Sequence, residues 1–80
     1  MVNVLFHPFF RRKFSKIRDK NLKNRIIKQF DKIARNPDIG KPMKFARKGT
    51  REVHAGSYRL SYTYLEDKIV YLDPYHKDEQ

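Results

Sequence analysis

The spacing of apolar residues changes along the chain, from helical in its first half to alternating in its second. Two groups of apolar residues recur every three or four positions, which predicts two amphipathic helices. The first group is Phe10, Phe14 and Ile17, and the second is Leu22, Ile26, Phe30 and Ile33, with Ile27 and Ala34 beside it.

Residues that favour helix ends bound these groups. Pro8 suits the first turn of a helix, and Asp19 is a good N-cap for the second helix. Asn36 and Pro37 end that second helix, because proline cannot continue it. We therefore expect a helix hairpin, followed by a linker over residues 36–49 that is rich in Pro and Gly.

Alternating runs predict four short strands. Val2, Val4 and Phe6 alternate with other residues and stop before Pro8. Turn signals at 56–57 (Gly-Ser) and 66–67 (Glu-Asp) divide the last part of the chain into strands at about 50–55, 58–65 and 68–73. The predicted fold is α+β, in the order β-α-α-β-β-β, with an antiparallel sheet and a helix hairpin packed on one face. We interpret residues 1–80 as a single domain.

The predicted strand at 58–65 sorts its side chains onto two faces. Tyr58, Leu60, Tyr62 and Tyr64 alternate with Arg59, Ser61 and Thr63. Since successive strand residues point to opposite faces, the first set faces the core and Arg59 faces the other way. An arginine on a rigid strand, on the face that the helices leave free, is well placed to hold a phosphate.

The charge of the chain indicates an anionic partner. The 80 residues carry a formal net charge of +10, and the charge is uneven. Residues 11–35 hold eleven Lys or Arg against two Asp, and residues 41–51 hold five against none. Such a field attracts nucleic acid and makes its binding salt-dependent. The alternative for the helical charges is an ordinary solvated surface.

Several classes of protein are disfavoured. The absence of cysteine excludes a disulfide framework and zinc sites built on thiolates. No run approaches the roughly 20 apolar residues that span a bilayer, and there is no phosphate loop. The three histidines are too far apart in sequence to indicate a metal site. We expect a cytoplasmic protein without a cofactor, a metal or a membrane partner.

The helix hairpin and the later strands together resemble the RelE/ParE superfamily of toxins from type II toxin–antitoxin systems. The most specific part is the pattern of Gly56, Tyr58, Arg59, Leu60 and Tyr62, followed by a further strand and a histidine near the C-terminus. The resemblance implies a small toxin held in check by an antitoxin. In the RelE branch it implies an endoribonuclease that cuts mRNA in the ribosomal A site. The ParE branch has the same fold and inhibits DNA gyrase instead.

The resemblance also implies catalytic residues. Attack by the 2′-hydroxyl on the adjacent phosphate needs a base, a group that stabilises the added negative charge and an acid for the leaving oxygen. Arg59 matches the family's phosphate-stabilising arginine, and its alternative is a surface pair with Glu52. His76 matches the position of a C-terminal Arg or His, and its alternative is an ordinary histidine in a polar tail. Arg51 is the third candidate. The Tyr that many RelE-type chains carry a few residues later is absent.

RNA-binding residues are expected around the central hairpin. Family members often place cations there that clamp the scissile phosphate. Tyr75 adjoins His76, and its ring is a candidate for stacking on a base. The expected RNA-binding residues are Lys41, Lys44, Arg47, Lys48, His54 and Tyr75.

The partners follow from the same interpretation. We expect a RelB-like antitoxin, acidic or amphipathic, which covers the basic face or the apolar helix surface. A heterotetramer of two toxin–antitoxin pairs is one arrangement of that complex. The other partners are mRNA and the ribosomal A site. Two alternatives to the nuclease stay open at this point: a gyrase inhibitor and a nucleic-acid-binding protein without catalysis.

Overall fold

Seven helices and strands form in the order β1-α1-α2-β2-β3-β4-β5 in the structure, a computed structural model that describes residues 2–79. Short 3₁₀ turns lie at Pro37–Ile39, Phe45–Arg47 and Lys77–Glu79. The bounds are β1 Asn3–Phe6, α1 Pro8–Ser15, α2 Lys20–Arg35, β2 Lys41–Pro42, β3 Arg51–Ala55, β4 Tyr58–Leu65 and β5 Lys68–His76.

The strands form one five-stranded sheet in the order β1-β5-β4-β3-β2. The α+β class and the helix-covered face are confirmed. Three neighbouring pairs are antiparallel, but β1 runs parallel to β5, so the sheet is mixed rather than wholly antiparallel. The sequence did not predict β2, which has only two residues and lies at the edge.

β5 continues three residues beyond its predicted end, through Pro74 to His76. Its pairing with β1 stops at Tyr71, so β5 is an edge strand from there on. An edge position tolerates the missing N–H of proline. The register between β4 and β5 also shifts here: Tyr62 pairs with Tyr71 and Ser61 with Asp73, which leaves one extra residue on β5. This bulge decides which side chains of β5 reach each face.

The helices begin where the sequence predicts. Pro8 is the first residue of α1, and His7 caps it by accepting the Phe9 N–H at Nδ1, 3.1 Å away. Asp19 caps α2 by accepting the N–H of Asn21 at 2.9 Å and of Leu22 at 3.2 Å. These bonds satisfy N–H groups that a helix N-terminus leaves unpaired. No helix of the described residues is both long and apolar enough to cross a membrane.

The core lies between the helices and one face of the sheet. Ile26 and Ile33 of α2 are fully buried there, whereas Ile27 is exposed. An aromatic cluster extends this core towards β1. Tyr71 lies at its centre, with its ring centroid 4.6 Å from that of Phe30 and 5.2 Å from that of Phe6. Large rings supply much of the buried area that a small domain needs.

Tyr71 carries a buried hydroxyl with no hydrogen-bond partner among the described residues. We expect Tyr71→Phe to raise the free energy of unfolding by about 1 kcal/mol, because it removes an unpaired polar atom and keeps the ring contacts. Urea unfolding at neutral pH measures this. An unchanged or lower stability would contradict it.

The same burial raises the pKa of Tyr71 above its ordinary value of 10.0. As the pH rises, Tyr71 therefore loses its proton in the unfolded chain before it does so in the folded chain. Its contribution to the free energy of unfolding is complete below pH 10 and declines as the pH rises. The limiting slope is about 1.4 kcal/mol per pH unit for each such tyrosine. Between pH 10 and 11, Tyr71→Phe should therefore lose less stability than the wild-type protein does. The variant should still lose some stability in this range, since burial also raises the pKa of Tyr62.

Tyr62 fixes the segment that leads from α2 into β2. Its hydroxyl accepts the Gly40 N–H at 2.9 Å and donates to the Pro37 carbonyl at 2.7 Å. Gly40 is buried against the Tyr62 ring. The segment therefore reaches the sheet edge in a defined position, which sets where β2 begins.

Candidate active site

The strand register sorts the functional side chains onto two faces of the sheet. We call the face away from the helices the open face. His54 of β3 pairs with Arg59 of β4, and Arg59 pairs in turn with Tyr75 of β5. Glu52 pairs with Ser61 on the same face. The expected position of Arg59, opposite the helices, agrees with this register.

A cleft of about 520 Å³ lies at the edge of the open face. The loop between β2 and β3 forms one wall of the cleft, and strand residues form the other. Its lining residues are Lys41, Pro42, Met43, Lys44, Phe45, Glu52, His54 and Arg59. Cations outnumber the one carboxylate in this lining, so the cleft suits an anionic ligand.

Arg59 is held by its own hairpin. Its Nη1 donates to the carbonyls of Gly56 at 3.3 Å and Tyr58 at 3.2 Å. Gly56 has a φ of 62°, a value that glycine adopts without steric cost. Arg59 forms no ion pair with any carboxylate of residues 2–78, and Glu52 pairs with Arg47 instead, so the alternative of a surface pair with Glu52 is wrong. The guanidinium charge is therefore left for a ligand.

Glu52 pairs with Arg47 and Tyr75 instead. The Tyr75 hydroxyl donates to the Glu52 carboxylate, which is 7% exposed. Arg47 Nη1 donates to the Tyr75 hydroxyl at 2.7 Å and lies 3.5 Å from Glu52 Oε2. A buried carboxylate requires such partners. This three-residue network ties the loop before β3 to the open face.

The network also bears on the expected role of Tyr75. The Arg47 guanidinium lies 5.0 Å from the centre of the Tyr75 ring, and Tyr75 is only 4% exposed. A base needs an accessible ring face for stacking. Tyr75 therefore reaches the open face with its ring covered, and its stacking on RNA stays a prediction.

Arg51 does not share a surface with Arg59. It pairs with Tyr62, whose side chain is in the core. Its Nη1 donates to the carbonyls of Gly40 at 2.9 Å and Asp38 at 3.1 Å, and its Nη2 lies 3.3 Å from the Asp38 carboxylate. These contacts give Arg51 a structural role, because they hold the segment before β2; its catalytic role stays a prediction.

His76 is also on the other side of the sheet. It pairs with Tyr58, and the two rings meet edge to face with centroids 5.6 Å apart. Its Nδ1 accepts the Asp78 N–H at 3.2 Å. The bulge in β5 places His76 on this side of the sheet, because one extra residue exchanges the faces of all residues that follow it. His76 therefore does not share the open face with Arg59, and its catalytic role stays a prediction.

The predicted cations lie around the cleft. Lys41 and Lys44 line it, and Arg47 lies behind it in the Glu52–Tyr75 network. Lys48 is exposed in the same loop but does not line the cleft. Of the predicted residues, the structure therefore brings Arg59, His54, Lys41 and Lys44 together.

Sequence reasoning missed Phe45 and the network role of Glu52. Phe45 is exposed at the cleft, and the one available signal was an aromatic residue inside a basic loop, Lys44 to Lys48. Glu52 was recognisable only as the single carboxylate in that region. No group of three potential metal ligands occurs within residues 2–78.

Chains with the same fold occur in solved structures of toxin–antitoxin complexes. The RelBE2 complex from Mycobacterium tuberculosis contains a chain 26% identical, with a TM-score of 0.82 over 94% of this chain and 96% of that one. A chain of the YoeB–YefM complex from Staphylococcus aureus is 21% identical, with a TM-score of 0.79 over 95% and 97%. A chain of the E. coli RelBE complex is 12% identical, with a TM-score of 0.80 over 95% and 96%.

The fold and the open basic face thus define a toxin of the RelE/YoeB/ParE superfamily. The family model described as the ParE toxin of the type II toxin–antitoxin system parDE matches residues 4–77. The chain belongs to this family. No curated protein matches the chain.

Proposed function

We propose that this toxin arrests growth as an endoribonuclease that cuts mRNA in the ribosomal A site. The observation that carries the proposal is the cross-strand pair of His54 and Arg59 in a cleft also lined by Lys41 and Lys44. An imidazole beside an unpaired guanidinium supplies both proton transfer and charge stabilisation. The resemblance to RelE-type toxins is the reason for proposing mRNA on the ribosome as the substrate.

The reaction is attack of a ribose 2′-oxygen on the neighbouring phosphorus. The new O2′–P bond forms as the P–O5′ bond breaks, which gives a 2′,3′-cyclic phosphate and a free 5′-hydroxyl. His54 accepts the 2′-hydroxyl proton, and Arg59 stabilises the pentacoordinate phosphate through two guanidinium N–H groups. Lys41 and Lys44 hold the flanking phosphates. The 5′-oxygen takes its proton from water.

The matched pair His54→Ala and His76→Ala tests the assignment of the imidazole. We expect His54→Ala to slow cleavage by roughly 100- to 10,000-fold, the usual contribution of general acid–base catalysis. His76→Ala should stay close to wild type, because the bulge turns His76 away from the cleft. The measurement is the rate of cleavage of a ribosome-bound mRNA by each purified variant. A larger loss in His76→Ala than in His54→Ala would contradict the assignment.

A gyrase inhibitor is the second candidate. The match to a family model for the parDE toxin favours it. A gyrase inhibitor would arrest cells with intact mRNA and accumulated DNA breaks. Its growth arrest would not depend on His54, and this separates the two candidates in the same set of variants.

We also propose that a cognate antitoxin neutralises the chain in the cytoplasm. The RelBE2, YoeB–YefM and RelBE structures are toxin–antitoxin complexes, and one YoeB–YefM complex is described as heterotetrameric. A net charge of +10 favours an acidic antitoxin. Co-expression of the adjacent acidic gene product should restore growth in cells that produce the chain. Failure of that product to bind would count against the pairing.

A further inference from the structure

Phe45 is the most exposed large apolar residue that the structure describes. It is 90% exposed, although phenylalanine is usually buried. Its φ is 61°, in the left-handed region that residues with a bulky side chain rarely adopt. Folding gains nothing from either property, so both need another explanation.

The loop that carries Phe45 is tied at several points. The Met43 N–H donates to the Thr50 carbonyl at 3.0 Å, which closes the loop, and the Lys48 N–H donates to the Phe45 carbonyl at 3.0 Å. Arg47 then attaches the loop to Tyr75. The ring is thus presented on a braced segment, which lowers the entropy cost of binding a ligand.

The surroundings of Phe45 select the ligand. The ring lines the cleft that also contains Arg59 and His54, and cationic side chains precede and follow it at Lys44 and Arg47. A flat apolar surface between cations matches a nucleotide, since a base lies between phosphates along an RNA strand. Aromatic stacking combined with a positively charged groove is how proteins hold single strands.

We propose that Phe45 is a stacking platform for one base of single-stranded RNA, next to the phosphate that Arg59 holds. The inference rests on the proposed function, because that function identifies the bound polyanion as RNA. Every base has a π face, so the platform positions the strand without selecting a particular sequence. It also takes the stacking role expected of Tyr75, whose ring is covered.

The test measures RNA binding without cleavage. The probe is a short 2′-O-methyl RNA that contains 2-aminopurine, whose fluorescence reports stacking and which cannot be cut by its own 2′-oxygen. We expect Phe45→Ala and Phe45→Leu to weaken binding by roughly 5- to 150-fold and to lose the fluorescence change, while Phe45→Trp keeps both. Inorganic polyphosphate, which has no bases, should bind all four proteins equally.

A matched control comes from the end of β4. Leu65 is 71% exposed, so Leu65→Ala removes a similar exposed apolar group away from the cleft and should bind the RNA as wild type does. Phe45→Ala should also unfold at the same urea concentration as wild type, because the ring is almost fully exposed. A structural role would shift that midpoint.

Three outcomes would overturn the stacking proposal. Phe45→Ala could bind RNA as wild type does, Phe45→Leu could retain full binding, or the wild-type chain could bind no RNA. Retention by leucine would show that an apolar contact with the RNA is sufficient and that ring stacking is not required. If stacking fails while mRNA is still cut, the proposed function stands. If stacking holds while no mRNA is cut, the platform stands and the nuclease does not.

Discussion

Arg59→Ala is expected to slow mRNA cleavage on the ribosome by roughly 100- to 1,000-fold, the usual cost of removing one donor that stabilises transition-state charge. Its guanidinium is anchored by two carbonyls of the β3–β4 hairpin and has no carboxylate partner among the described residues. Loss of the side chain therefore removes positive charge from the cleft in which we propose that the scissile phosphate binds, without leaving an unpaired buried group.

Two further variants make this result interpretable. Arg59→Lys should recover only part of the rate, because an ammonium group cannot make the two parallel hydrogen bonds of a guanidinium. Arg35→Ala removes an equal charge from the exposed end of α2, where Arg35 Nε lies 3.3 Å from the Asp31 carboxylate. It should cleave as wild type does. Equal losses in Arg35→Ala and Arg59→Ala would indicate a role for net charge alone and contradict the proposed site.

Gly40→Ala is expected to destabilise the protein by about 3 kcal/mol, at the upper end of the cost of overpacking a core. An added Cβ would lie 2.5 Å from the Tyr62 hydroxyl and 2.8 Å from Cε1 of the same ring. The ring is fully buried and cannot move aside without disturbing the core. The segment would have to shift, which breaks the Tyr62 hydrogen bonds and displaces Lys41 from the cleft.

Gly49→Ala is the control for this effect. A Cβ at Gly49 would meet no atom within 4 Å, but its φ of 96° imposes backbone strain of about 1–2 kcal/mol. Urea unfolding should therefore rank wild type, Gly49→Ala and Gly40→Ala in order of decreasing stability. Combining Gly40→Ala with Tyr62→Phe should relieve only part of the clash, because the ring carbons remain. A Gly40→Ala protein as stable as Gly49→Ala would refute the close packing described here.

The face of Arg59 was predictable because the alternation of β4 is unambiguous. Tyr58, Leu60, Tyr62 and Tyr64 are all apolar or aromatic on one side, and burial of that side fixes the other. The start of α2 was predictable for a similar local reason, since Asp19 satisfies N–H groups within its own first turn. The strand turns at 56–57 and 66–67 were also correct.

The face of Arg51 was available from the sequence. Arg51, Val53 and Ala55 are alternate residues of β3 and therefore face the same side of the sheet. Val53 and Ala55 are both buried on the helix side. The alternation of β3 therefore assigns Glu52 and His54 to the open face. A family resemblance favoured Arg51 against that local pattern, and the local pattern was right.

The position of His76 was not predictable in the same way. An unbroken alternation from Ile69 and Tyr71 puts His76 on the open face and Tyr75 in the core. The bulge reverses both, and it arises from the pairing of β5 with β4 rather than from any local signal. The exposure of Phe45 is equally non-local, because it depends on the bracing of its loop by Arg47 and Thr50.

The central claim is tested most directly by mapping 5′ ends on a defined mRNA in a translation reaction that contains the purified chain. The account predicts new 5′ ends within the codon at the A site, which require ribosomes and disappear with Arg59→Ala. An intact message in this reaction, together with growth arrest in cells that produce the same chain, would contradict the nuclease and favour the inhibition of gyrase.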